Sequence, residues 1–70
     1  MAEIRIRLNG EETLCRAGQC LQELLEELGY RPPLVVVEFN GAILPRRAWP
    51  SQPVVESDAI EVVTIVGGGS

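Results

Sequence analysis

The sequence has no histidine and no lysine, and each absence removes a class of chemistry. Without histidine the chain lacks the commonest general base and the commonest metal ligand. All six basic residues are arginines, so Schiff-base catalysis by a lysine is excluded as well. Cysteine is scarce: Cys15 and Cys20 are too few for a disulfide scaffold. Their C-x-x-x-x-C spacing fits neither a redox C-x-x-C pair nor a zinc knuckle, and no second ligand pair is present, so no metal site is expected. Two inert thiols packing as small hydrophobes are expected, with a persulfide on either one as the open alternative. Positive charge is also in deficit. Six basic against ten acidic residues give a net charge of −4, the wrong sign for a phosphate-binding surface, so no nucleic-acid partner is expected. No apolar run approaches the roughly 20 residues of a membrane span, and the alternating N-terminus does not read as a signal peptide. A soluble, cytoplasmic protein without a membrane partner is therefore expected.

What is present begins with length: 70 residues of which 46% are hydrophobic suffice for one small folded domain and not for an enzyme of ordinary size. From Glu3 to Leu8 apolar and charged residues alternate, with Ile4, Ile6 and Leu8 on one face and Arg5 and Arg7 on the other, which predicts a half-buried strand. Asn9-Gly10 supplies a tight hairpin turn. The return strand spans about Glu12 to Ala17, with Thr13 and Cys15 expected inward. Between Cys20 and Leu28 the period changes. Leu21, Leu24, Leu25 and Leu28 fall at i, i+3, i+4 and i+7, the buried stripe of an amphipathic helix whose other side carries Gln22, Glu23, Glu26 and Glu27. Cys20 with Glu23 three residues on forms a capping box around a poor cap. Gly29 and Pro32-Pro33 end the helix.

Leu34 to Asn40 reads as a third strand, with Val35, Val37 and Phe39 inward and Leu34 and Val36 on the more open face. A second Asn-Gly turn, Asn40-Gly41, leads into a short return strand, Ala42 to Leu44, stopped by Pro45. The segment from Pro45 to Ser57 holds three prolines and the only tryptophan, and an irregular connection tacked to the core by Trp49 or Val54-Val55 is expected. The last strand, Ala59 to Val66, is apolar on both faces, which places it in the middle of a sheet. The order β-β-α-β-β-β with one helix across one sheet face is that of an α+β, ubiquitin-like β-grasp fold. One domain over residues 1–66 and a flexible tail over 67–70 are expected.

Three features could carry function. Gly67-Gly68-Gly69-Ser70 follows a central strand without the helix that a phosphate-cradling glycine loop needs. As a tether, four extended residues reach about 13–14 Å, and glycines can thread a narrow channel to deliver a terminal carboxylate; the competing reading is a frayed end without a role. Arg46 and Arg47 beside Trp49 form either a docking patch or a core plug flanked by solvated arginines. Val63 and Ile65, with Val36, make an exposed apolar patch if the helix covers only one face of the sheet. The acidic helix face of Glu23, Glu26 and Glu27 reads as an ordinary solvated face.

The opening strand ending in LNGE, the stretch AGQCLQELLEELGY, the block VVVEFNGAILPRRAW and the closing DAIEVVTIVGGG together resemble the ThiS family of sulfur carriers in thiamine thiazole biosynthesis, over the whole chain. The middle block is the most specific, similar to the family's N-G-x-x-(V/L)-P-R-x-x-W. The resemblance implies a protein cosubstrate and not an enzyme, with no cofactor held by the chain itself. A ThiF-like partner would use ATP and magnesium to adenylate the terminal glycine carboxylate. A persulfide sulfur from a cysteine desulfurase would then displace AMP to leave a thiocarboxylate, and thiazole synthase (ThiG) would take the sulfur. The family pattern puts the working pair at Gly68-Gly69, with Gly69 the expected acceptor after loss of Ser70 and a partner that accepts the terminal serine as the alternative. Docking falls to Val63, Ile65, Val36, Arg46 and Trp49. A carrier for a molybdopterin-type pathway and a noncovalent ubiquitin-like interaction module are the alternatives.

Overall fold

The computed structural model describes residues 2–30 and 35–65. Strands β1 (Glu3–Leu8), β2 (Glu11–Arg16), β3 (Val35–Phe39), β4 (Ala42–Ile43) and β5 (Ala59–Thr64) form one five-stranded sheet in the order β2-β1-β5-β3-β4. Helix α1 (Leu21–Glu27) crosses one face. The first and last strands meet at the centre, where β1 runs parallel to β5 and the other pairings are antiparallel. This is the expected β-grasp arrangement, with the doubly apolar strand in the middle.

The two Asn-Gly turns do more than reverse the chain. Asn9 and Asn40 both take φ of +52°, a left-handed conformation that asparagine tolerates better than other non-glycine residues. Each then turns its side chain onto β5. Asn9 Oδ1 accepts from the Val62 N–H at 2.7 Å, and Asn40 Oδ1 accepts from the Ala59 N–H at 2.8 Å. Their backbone N–H groups donate to the Ile60 and Ala59 carbonyls. The central strand is thus clamped from both sides by turns that also set its register.

The core between sheet and helix holds Ile6, Cys15, Leu21, Leu24, Leu25, Val35, Val37, Trp49, Val54, Ile60 and Val62. The inward assignments of Ile6, Cys15, Val35 and Val37 hold, and Leu14 points out. Leu28 departs from the expected stripe. It is the C-cap of α1, at the end of the helix, and is 42% exposed. β2 begins one residue earlier than expected, because the two-residue turn leaves Glu11 paired with Leu8. The segment after β4 is not irregular throughout: Arg46–Ser51 forms a 3-10 helix, with Pro45 as N-cap. It is fastened by the Trp49 indole N–H donating to the Leu44 carbonyl at 3.0 Å. Beyond it, Leu21 and Val54 N–H groups donate to the Gln52 and Gln19 carbonyls, tying the segment to the start of α1. Val54 is buried there while Val55 is exposed, so only the first of the two valines anchors the connection.

Candidate functional site: the open face of the sheet

The helix covers one face of the sheet and leaves the other open. On β5, Ile60 and Val62 turn into the core, and alternation sends Ala59, Glu61 and Val63 outward. Val63 is 59% exposed, and Ile65, just past the strand, is 48% exposed. Val36 of β3 is the register partner of Val63 and is half-buried beside it. The expected apolar patch is therefore present and uncovered by other described residues. It continues across Glu38, the register partner of Glu61, to the exposed Ile43 of β4 opposite Glu38.

Where β1 ends, β5 does not. The parallel pairing covers Arg7–Ala59 and Leu8–Ile60, after which the Asn9 side chain takes the place of a strand partner at Val62. From there β5 continues beyond its β1 neighbour while still paired with β3 as far as Thr64. The apolar patch sits on this protruding end, the end that leads toward the glycines. Val66 and the expected reactive end at Gly67, Gly68, Gly69 and Ser70 lie outside the described residues, as does Leu34.

Trp49 is 1% exposed and packs in the core, so of the two readings the plug is correct and the indole offers no docking surface. Arg46 and Arg47 are exposed at the start of the 3-10 helix, as expected for arginines flanking such a plug. They are carried on a different element from the patch.

The acidic helix face is occupied by local bonds. Glu23 accepts from the Cys20 N–H at 3.1 Å, completing its half of the capping box. The other half falls to the Cys20 sulfur, a weak acceptor. Glu27 accepts from Gln19 Nε2 at 3.0 Å and pairs with Arg16 at 2.6 Å. The Gln19 hydrogen bond, with help from Arg16, holds the Glu27 carboxyl below the usual carboxylate range. These residues rim a concavity of about 550 Å³, whose three carboxylates, Glu23, Glu26 and Glu27, each already accept a hydrogen bond. Burial pushes the Cys15 thiol up, and the negative charges of Glu27, Asp58, Glu3 and Glu56 push the same way. Cys15 therefore stays protonated at neutral pH and is a poor nucleophile. Among the described residues no three His, Cys, Asp or Glu side chains gather to hold a metal, and no helix is long and apolar enough to cross a membrane.

Two carboxylates escaped the sequence reading as site residues: Glu38 and Glu61. Their outward facing was legible from alternation, but their direct opposition depends on the β3–β5 register. A third omission is the Asn9 side chain, read only as a turn former.

Five strands, one covering helix, a central last strand and an open apolar patch at its outgoing end define a small ubiquitin-like β-grasp domain. The chain belongs to the ThiS family, whose model matches residues 2–69. The Escherichia coli sulfur carrier protein ThiS is 33% identical over 66 residues, 94% of this chain and 100% of that protein. A thiazole synthase of Magnetococcus marinus is 42% identical over 66 residues, where the match covers 94% of this chain but 20% of the synthase. The crystal structure of the thiamine biosynthesis protein ThiS from Geobacter metallireducens superposes with a TM-score of 0.80 at 30% identity, covering 94% of this chain and 100% of that one.

Proposed function

We propose that this protein is a sulfur carrier for thiazole formation in thiamine biosynthesis, acting as a cosubstrate through its C-terminal glycine carboxylate. The observation that carries this reading is the family match over residues 2–69, which takes in the glycines and stops at Gly69. A ThiF-like enzyme would adenylate Gly69 with ATP and magnesium, once Ser70 is removed. The outer sulfur of a desulfurase-derived persulfide would displace AMP to form an acyl disulfide, a thiol would then reduce its S–S bond to release the thiocarboxylate, and thiazole synthase would receive that sulfur. The chemistry asks nothing of the carrier's own side chains, because adenylation turns a poor leaving group into AMP. That is consistent with a chain lacking histidine and lysine and carrying a buried, protonated Cys15. A thiazole synthase as partner is supported by two relatives of that name, in Magnetococcus marinus and Paramagnetospirillum magneticum, each with about a fifth of its length similar to nearly all of this chain. The open patch of Val36, Val63 and Ile65 is the docking surface in this reading, with exposed Arg46 as an outlying contact.

Intact-mass measurement after incubation with the adenylating enzyme, ATP, magnesium, a persulfide source and a thiol reductant tests the chemistry. The chain ending at Gly69 should gain about 16 Da, one oxygen replaced by sulfur. The chain retaining Ser70 should gain nothing. No gain in either form overturns the carrier reading in favour of a noncovalent module, whereas transfer only to a molybdopterin-type acceptor would move the pathway.

A further inference from the structure

Glu38 of β3 and Glu61 of β5 are direct register partners, both exposed on the open face. Directly opposite side chains in an antiparallel pair have Cβ atoms about 4.5–5.5 Å apart, and like charges in that position destabilise the sheet. Among the described residues neither carboxylate is in an ion pair. Toward β3 and β4 the register neighbours on the same face are uncharged, with Ile43 opposite Glu38 and Val36 opposite Val63 at the next outward position; toward β1, Arg7 stands opposite Ala59, diagonal to Glu61, and is itself the register partner of Glu12. Two repelling charges are thus embedded in the apolar patch at the protruding end of the central strand.

We infer that Glu38 and Glu61 form an acidic ledge within the docking surface and receive cationic side chains, guanidinium or ammonium, from thiazole synthase. The inference rests on the carrier reading above and deepens it. The ledge complements only a surface that pairs positive groups with an apolar shelf for Val36, Val63 and Ile65. A second copy of this chain would bring further carboxylates to the same place and is disfavoured. The synthase is the chosen occupant because relatives of that name contain a segment similar to this domain. In each of those chains about a fifth of the length is similar to this domain, and the ledge lies on the strand that leads toward the glycines. Charges at such a position set the approach and register of docking more than its total strength. The partner's cations would relieve the repulsion between the directly opposed carboxylates, so free carrier is less stable than it could be and bound carrier is not.

Binding of the carrier to purified thiazole synthase, measured by calorimetric titration at low and high salt, tests the inference with the Glu38→Gln/Glu61→Gln double variant and a Glu38→Asp/Glu61→Asp control. The Gln variant should bind about three- to tenfold more weakly at low salt, with the difference shrinking as salt rises. Its thermal midpoint should be equal to or above that of the parent, and the Asp control should restore affinity. Equal affinity of parent and Gln variant overturns the ledge while leaving the carrier reading intact. A loss of affinity matched by a fall in midpoint overturns it as a purely structural effect. Weakening toward the adenylating enzyme but not the synthase overturns the choice of occupant. Parent protein that fails to bind the synthase at all removes both the ledge and the synthase as partner.

Discussion

The open face has two halves that treat charge in opposite ways. On the β1–β2 half, the outward register pairs are Glu3 with Arg16, Arg5 with Leu14 and Arg7 with Glu12, so two of the three set opposite charges face to face. Arg5 also lies 3.7 Å from Glu12 diagonally, and Arg16 reaches Glu27 of the helix. On the β3–β5 half the corresponding pairs are Val36 with Val63 and Glu38 with Glu61, apolar then like-charged. Exposed ion pairs contribute little each, but mixed signs leave a surface content in water. The second half is content only when covered. Composition does not separate them, since each holds apolar and charged groups; the difference lies in which residue faces which.

The largest test of this contrast places one carboxylate on each half. Val63→Asp and Leu14→Asp both replace apolar side chains nearly 60% exposed, so both variants should fold. Val63→Asp should weaken binding to the partner enzymes about 30-fold or more, the scale of losing a central apolar contact. Leu14→Asp should leave binding within about twofold, the scale of a residue outside the contact. Equal losses from both would erase the distinction between the halves.

A smaller effect is expected at their junction. Asn9 replaces the missing β1 partner of Val62, so Asn9→Gly keeps the left-handed turn but removes the acceptor of a part-buried N–H. Denaturant unfolding should show a loss of about 1–2 kcal/mol, and Asn9→Asp, which keeps the oxygen, should recover most of it. No recovery would mean that the turn and not the clamp is what matters. Smaller still, Cys20→Thr should stabilise the domain by up to about 1 kcal/mol by supplying a better N-cap. Being remote from both halves, it should leave partner binding unchanged, and an unchanged or lower unfolding midpoint would count against the cap.

How much of this was legible in the sequence follows from which interactions are local. Period-two alternation placed Ile6, Cys15, Val35 and Val37, and period 3.6 placed Leu21, Leu24 and Leu25, because each depends on neighbours in the chain. Leu28 escaped because burial at a helix end depends on what lies opposite, not on the period. The 3-10 helix at Arg46–Ser51 was hidden by Pro45 and Pro50, which exclude a long α-helix yet suit a short tight one. For the site, the apolar outer residues of β5 were readable once that strand was assigned to the middle. Glu38 opposite Glu61 was not, because register between strands distant in sequence is set by the turns and clamps at Asn9 and Asn40. Trp49 remained ambiguous for the same reason: only the fold decides whether an indole beside arginines points in or out.

The smallest predicted effect probes the self-satisfied half through pH. Glu27 receives hydrogen bonds from Gln19 and Arg16, which favour its ionised form and lower its folded pKa. A carboxylate whose pKa is lower folded than unfolded adds stability that is fully present above the unfolded value, about 4.3 for glutamate. It loses that contribution as pH falls through the lowered folded value, where both states bind the proton alike. Glu27→Gln keeps the shape but cannot ionise. The parent should therefore unfold at a higher midpoint than the variant near neutral pH, and the two should converge in acid below the usual glutamate range. Glu27 is largely in water, so the gap should be slight and should narrow with added salt. A gap that persists in acid would assign the effect to packing and would take the Arg16–Glu27 pair out of the electrostatic account of this half.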